Sequence, residues 1–206
     1  MTTKIAIVGT GLVGRAWTIV FARAGHEVSI FDPMEGASEQ ALSLIGQNLP
    51  ALADAGLLNG ETPAAVLGRI ARAGTLADAL AGAIHCQESA PERVEVKAEL
   101  YKELDRLAAP ETVLASSTSG IPASQFSDGL PGQRRVLVAH PINPPHIIPL
   151  VEIVPAPWTD PAIVQQTRDL MAAVGQSPIS TTREVNGFIA NRLQGALLAE
   201  AFKLVE

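Results

Sequence analysis

The chain has 206 residues, with 15 Lys and Arg against 21 Asp and Glu, a formal net charge of −6, and 47% hydrophobic content. That is enough for one full domain, or one and the start of another, with a core that needs no disulfide or structural metal. The composition excludes a disordered or acidic-tail protein, the acidic balance argues against binding a nucleic-acid backbone, and a single cysteine, Cys86, excludes a disulfide framework.

Residues 4–9 form a short β-branched apolar run, expected as a buried strand. The run breaks at Gly9, and Arg15 and Arg23 follow too soon for a signal peptide. Residues 12–24 read as a helix stopped by Gly25, and 27–31 as a second strand. Two strands joined by one helix within about 30 residues form a βαβ unit, which requires a parallel sheet. Residues 35–58 read as helical, with Pro50 forcing a kink or break, and Asn59-Gly60 as a turn. A short helix at 76–81 and a strand at 83–87 follow. Residues 91–108 make the best amphipathic helix, with Val94, Leu100, Leu104 and Leu107 on its apolar side. Strands are expected at 112–116, 135–139 and 150–154, then a helix opened by Asp160-Pro161 and ended by Gly175. The last segment, 186–206, carries Phe188, Ile189, Leu193, Leu197 and Leu198 at helical spacing. Its apolar side needs a partner, so the chain is expected to be the front part of a longer protein. No uncharged apolar stretch reaches the ~18 residues that span a bilayer. No membrane or nucleic-acid partner is expected, and a cytoplasmic protein is.

Gly9-Thr10-Gly11-Leu12-Val13-Gly14 is G-x-G-x-x-G between an expected strand and an expected helix. Gly9 allows the tight turn, Gly11 lets backbone approach a pyrophosphate, and Gly14 lets helix and strand pack closely. Alone, the motif also suits an ordinary strand-to-helix turn. Asp32 shifts the balance. It ends the second strand about 20 positions further on, where an acid binds the adenosine ribose hydroxyls of a dinucleotide. Its carboxylate repels a ribose phosphate, and no Lys or Arg follows nearby, so NAD is favoured over NADP. The fold expected is α/β, with a doubly wound, mostly parallel sheet of Rossmann type.

Ligands bind outside the carboxyl ends of parallel strands, which makes polar residues there suspects. Ser116-Ser117-Thr118-Ser119 follows one strand and His140 the next. A helix N-cap is the plain alternative for Ser119. Glu152 lies inside Leu150-Val151-Glu152-Ile153-Val154, where burial is costly without a partner. Exposure on an edge strand is one solution. The other is pairing with His140, which gives a general base able to take a hydroxyl proton while hydride leaves the same carbon. No further ligands accompany His140 and His146 at metal-site spacing, so no metal is expected. His26 reads as a surface residue at a turn, His85 lies within a short strand, and Ser119 is not in a G-x-S-x-G elbow.

The segments GTGLVGR, FD, QESAPERVEVK, SSTSG, HPINPPHIIPLVEIVPAPWT and GFIANRLQ resemble the 3-hydroxyacyl-CoA dehydrogenase superfamily. HPINPP…PLVEIVPAPWT is most similar to its λ-crystallin branch, of L-gulonate 3-dehydrogenase type. The resemblance implies catalytic roles for Ser119, His140, Glu152 and Asn191. It implies cofactor contacts at Leu12, Val13, Asp32, Glu92, Lys97, Ser119 and Asn143. Without it, Asn191 reads as a surface residue and Glu92 and Lys97 as ordinary helix charges. It also implies a coenzyme domain over 1–185, with 186–206 as the first helix of a truncated all-α C-terminal domain that forms a homodimer. Such a fragment is expected to bind NAD yet turn over poorly. Ser117 stands where acyl-CoA enzymes commonly carry Asn, and Pro-Ile replaces aromatics after His140, which points away from long acyl-CoA substrates.

Coenzyme A brings several phosphate charges that need Lys or Arg partners. No Lys or Arg occurs between Arg23 and Arg69, so the 35–58 helix offers no cation. A small hydroxy acid is therefore the first expectation, a 3-hydroxyacyl-CoA the second, and a non-catalytic NAD-binding protein the third. Arg192 is a candidate for holding a substrate carboxylate.

Overall fold

The computed structural model describes residues 3–205. β1 (Lys4–Val8) turns into α1 (Leu12–Arg23), and β2 (Glu27–Phe31) returns parallel to β1, pairing Ile5 with Val28 and Val8 with Phe31. α2 (Ala37–Asp54) and α3 (Pro63–Gly68) lead to the short edge strand β3 (Ile70–Arg72). The chain then crosses through α4 (Leu76–Leu80) to β4 (Ala83–Glu88), on the other side of β1. It continues through α5 (Val94–Leu107), β5 (Val113–Ser116), α6 (Ser124–Ser127), β6 (Val136–Pro141), β7 (Leu150–Pro155), α7 (Pro161–Ala173), β8 (Ser177–Ser180) and α8 (Ala190–Val205). The eight strands form one sheet in the order β3-β2-β1-β4-β5-β6-β7-β8. Among the described residues only the β6–β7 pair is antiparallel. The order reverses between β1 and β4, and the carboxyl ends of the strands there open the crevice typical of doubly wound sheets.

Both faces of the sheet are covered, which explains the continuous apolar runs of its strands. Ile5, Ile7, Leu137, Ala139, Val151 and Ile153 pack against α1, α2 and α7, with Trp17, Phe21, Ile45 and Met171 filling the layer. Ala6, Val8, Leu114, Val136, Val138 and Val154 face the other way, onto Leu80, Tyr101, Leu104 and Phe126. The alternation is the two-residue period of a strand buried on both sides.

Several expected boundaries shift. α2 runs unbroken through Pro50 to Asp54. Proline removes one helical hydrogen bond, and burial of Leu49 and Leu52 on either side keeps the helix seated on the core. On α5 the buried stripe is Lys97, Tyr101 and Leu104, while Val94, Leu100 and Leu107 are only half-buried. None of α8 is buried, and Leu193, Leu197 and Phe202 stand exposed on it. No helix among the described residues is long and apolar enough to cross a membrane.

Candidate functional site

The glycine loop shows why each glycine is needed. Gly9 has φ +90°, and a Cβ there would meet the Ser89 backbone at 2.7 Å. A Cβ on Gly14 would fall 1.9 Å from the Gly9 carbonyl oxygen. Gly11, by contrast, has nothing within 4 Å of that position. It caps α1 without any side-chain hydrogen bond, so the first N–H groups of the helix, at Leu12 and Val13, are left for an anion. Asp32, at the end of β2, accepts from Thr10 N (2.8 Å) and Thr10 Oγ1 (3.1 Å) through Oδ2, and from Met34 N (3.0 Å) through Oδ1. The acid is thus tied to the loop, and it lines a cavity of about 330 Å³. Arg72 of β3 lines the same cavity, 3.3 Å from Glu39. Sequence spacing finds no cation near Asp32. The β2–β3 pairing brings one, already engaged by a carboxylate.

His140 on β6 and Glu152 on β7 are directly paired across the antiparallel register. Their side chains point to the same face, and His140 Nδ1 lies 2.7 Å from Glu152 Oε2. Both are buried, at 3% and 0% exposure, so the edge-strand alternative for Glu152 does not hold. The other oxygen, Oε1, accepts from the backbone N–H groups of Ile189 (2.7 Å) and Ala190 (2.9 Å) where α8 begins. A buried carboxylate needs such partners, and here one group satisfies the imidazole and a helix start together. Phe188, buried with φ +51°, places its ring 5.4 Å from the His140 ring.

Ser119 is exposed just beyond β5. Its backbone carbonyl accepts from Asn191 Nδ2 at 2.7 Å, which joins the first turn of α8 to the serine loop. Glu92 Oε1 holds the other side of that loop, accepting from Thr118 Oγ1 (2.5 Å), Ser119 N (2.8 Å) and Gly120 N (3.2 Å). Lys97 is placed differently from a surface contact. It is 1% exposed, 2.7 Å from Glu88 Oε1 and 3.9 Å from Glu92 Oε2. Glu88 in turn accepts from Ser116 Oγ at 2.6 Å. Removing one partner of such a buried pair typically costs about 3–5 kcal/mol. Asn143, exposed in the β6–β7 connection, lines one cavity with Leu12 and Val13.

Glu88, at the carboxyl end of β4, escaped sequence reasoning, while Ser116 and Thr118 stand out only within the polar run at the end of β5, with no role assigned to either. The remaining histidines do other work. His85 is buried, hydrogen-bonded to Gln87, and pushed down to about 4 by burial, so it stays neutral in the core. His26 Nδ1 lies 2.8 Å from Thr3 Oγ1. Among the described residues no group of three His, Cys, Asp or Glu side chains is placed to hold a metal ion.

Residues 4–185 match the model of the 3-hydroxyacyl-CoA dehydrogenase NAD-binding domain. A mouse (Mus musculus) λ-crystallin homolog is 41% identical over 203 residues, covering 98% of this chain and 64% of that protein. An L-carnitine dehydrogenase of Streptomyces griseus is 42% identical, over 98% of this chain and 59% of that protein. The crystal structure of 3-hydroxybutyryl-CoA dehydrogenase from Escherichia coli K12 superposes with a TM-score of 0.91 at 30% identity, covering 99% of this chain and 43% of that one. The chain thus spans less than two thirds of the length of these relatives. With open space at Gly11, an acid tied to the loop at Asp32, and a matching family model, this chain belongs to the 3-hydroxyacyl-CoA dehydrogenase family, and its cofactor is NAD.

Proposed function

We propose that the chain is the coenzyme-binding part of an NAD-dependent dehydrogenase that oxidises the 3-hydroxyl of a small hydroxy acid, of L-gulonate 3-dehydrogenase type. The observation that carries this reading is the 2.7 Å contact between His140 Nδ1 and Glu152 Oε2. When bound, NAD supplies the acceptor for the hydride that leaves the substrate carbon. Glu152 keeps the ring proton on Nδ1, so Nε2 presents its lone pair and takes the proton of the C3 hydroxyl. The ring then becomes imidazolium, and the buried carboxylate beside it stabilises that charge. Ser119 and Asn191, joined at 2.7 Å, hold the reacting oxygen and the substrate. Gly9, Gly11, Gly14, Leu12, Val13, Asp32, Glu92 and Asn143 hold the dinucleotide. Lys97 is a positioning residue that acts through Glu88 and Glu92.

The absence of any Lys or Arg between Arg23 and Arg69 supports a small acid over an acyl-CoA, as does similarity to a protein named L-carnitine dehydrogenase. The acyl-CoA reading is favoured by the structural match to 3-hydroxybutyryl-CoA dehydrogenase. In the same proposal residues 1–185 form the coenzyme domain. The exposed Leu193, Leu197 and Phe202 of α8 belong to a helical region through which a cytoplasmic homodimer forms.

The test follows NADH absorbance with L-gulonate, other 3-hydroxy acids and 3-hydroxybutyryl-CoA, using the intact enzyme and its His140→Ala variant. NADH should form with the acids, and His140→Ala should lower kcat/KM by about 10²–10⁴-fold, the usual worth of a positioned general base. Full activity of the variant on every accepted substrate would overturn the assignment. No NADH from any of them would leave the non-catalytic reading.

A further inference from the structure

A hydroxy-acid substrate brings a carboxylate that the protein has to recognise. Arg192 is exposed on α8 and is absent from the cavity that borders the glycine loop. That cavity, of about 690 Å³, lies between α1, α2 and the β6–β7 connection, and Leu12, Val13 and Asn143 line it. Among the described residues Arg15 is the one with a permanent charge that lines it, and no Asp or Glu does. Among the described residues Arg15 takes part in none of the ion pairs, so its guanidinium is not already spent. Gln47, Asn48 and Asn143 add amide donors. His146 is also on the wall, and its pKa is lowered by burial and by the charge of Arg23, so the ring adds no competing cation.

The wall is anchored. Arg23 Nη1 donates to the carbonyls of His146 (2.7 Å) and Leu57 (2.8 Å), and Gln176 Nε2 donates to that of Pro145 (3.1 Å). An anchored chamber with one unpaired guanidinium, amide donors and no acid is built for an anion. One fork meets one carboxylate well. It meets the several phosphates of coenzyme A poorly.

We propose that Arg15 binds the carboxylate of the substrate, with Gln47, Asn48 and Asn143 lining the same subsite; this rests on the hydroxy-acid reading above. The other anion within reach is the dinucleotide pyrophosphate at Leu12 and Val13, and the experiment separates the two. NADH affinity is measured by fluorescence for wild type, Arg15→Gln and Arg15→Lys. The NADH-loaded proteins are then titrated calorimetrically with 3-hydroxybutyrate and with 3-hydroxybutyramide. Wild type should bind the acid at least about tenfold more tightly than the amide, the worth of one charge-assisted hydrogen bond. Arg15→Gln should bind both alike, Arg15→Lys should restore part of the preference, and NADH affinity should change by less than about twofold in either. A preference that survives in Arg15→Gln overturns the assignment, most plainly if NADH affinity falls instead. Wild-type protein that ignores acid and amide but binds 3-hydroxybutyryl-CoA overturns the substrate class and the Arg15 role with it.

Discussion

Replacing Glu152 with glutamine is expected to lower kcat by about 10²–10⁴-fold while leaving NADH affinity unchanged. The reason lies in which atoms the two carboxylate oxygens serve. Oε1 accepts from Ile189 N and Ala190 N, and Oε2 faces His140 Nδ1. A glutamine keeps its carbonyl oxygen on the two N–H donors, because an amide nitrogen cannot accept from them. Its NH₂ group is therefore directed at His140, and Nδ1 has to accept. The ring proton moves to Nε2, where it occupies the lone pair needed for the substrate hydroxyl. Shape and volume are nearly preserved, so the loss falls on kcat. Steady-state kinetics with a parallel NADH titration check this, and a variant with near-normal kcat sinks the tautomer argument.

Gly14→Ala is the second large effect. Its Cβ would lie 1.9 Å from the Gly9 carbonyl oxygen and 3.0 Å from the carbonyl carbon, both backbone atoms with no rotamer to escape into. The strand-to-helix contact has to open, with an expected loss of about 1–3 kcal/mol of stability or more, and NADH binding goes with it. Gly11→Ala separates the two causes. No atom lies within 4 Å of its Cβ, and Gly11 has φ −65°, which alanine adopts freely. That variant should melt like wild type yet bind NADH poorly, because the methyl stands where the pyrophosphate approaches. Thermal unfolding and NADH fluorescence on the pair read both effects. Equal NADH affinity in Gly11→Ala and wild type would count against the pyrophosphate position.

The parts legible in the sequence were those where one physical demand admits few answers. Ile5, Ile7, Val28 and Ile30 form runs that suit strands buried on both faces, and the intervening helix makes their pairing parallel. Glu152 stood out because a carboxylate within Val, Ile and Leu has to find a partner, and the register puts His140 opposite it. Lys97 was illegible for the opposite reason. On an amphipathic helix rich in charge it reads as solvated, and only the tertiary fold brings Glu88 to it, 2.7 Å away. Arg72 is 3.3 Å from Glu39, at the cavity lined by Asp32, through the pairing of a three-residue strand too short to announce itself. Asn191 meets Ser119 across 72 positions of chain, a contact without local periodicity. The family resemblance singled out both Lys97 and Asn191, although their own surroundings in sequence did not.

Nitrogen-15 NMR of the His140 ring tests the central claim most directly. With NADH bound at neutral pH, the expected spectrum has the proton on Nδ1, shared with Glu152, and a bare Nε2. A neutral ring with its proton resident on Nε2 would contradict His140 as the group that takes the hydroxyl proton.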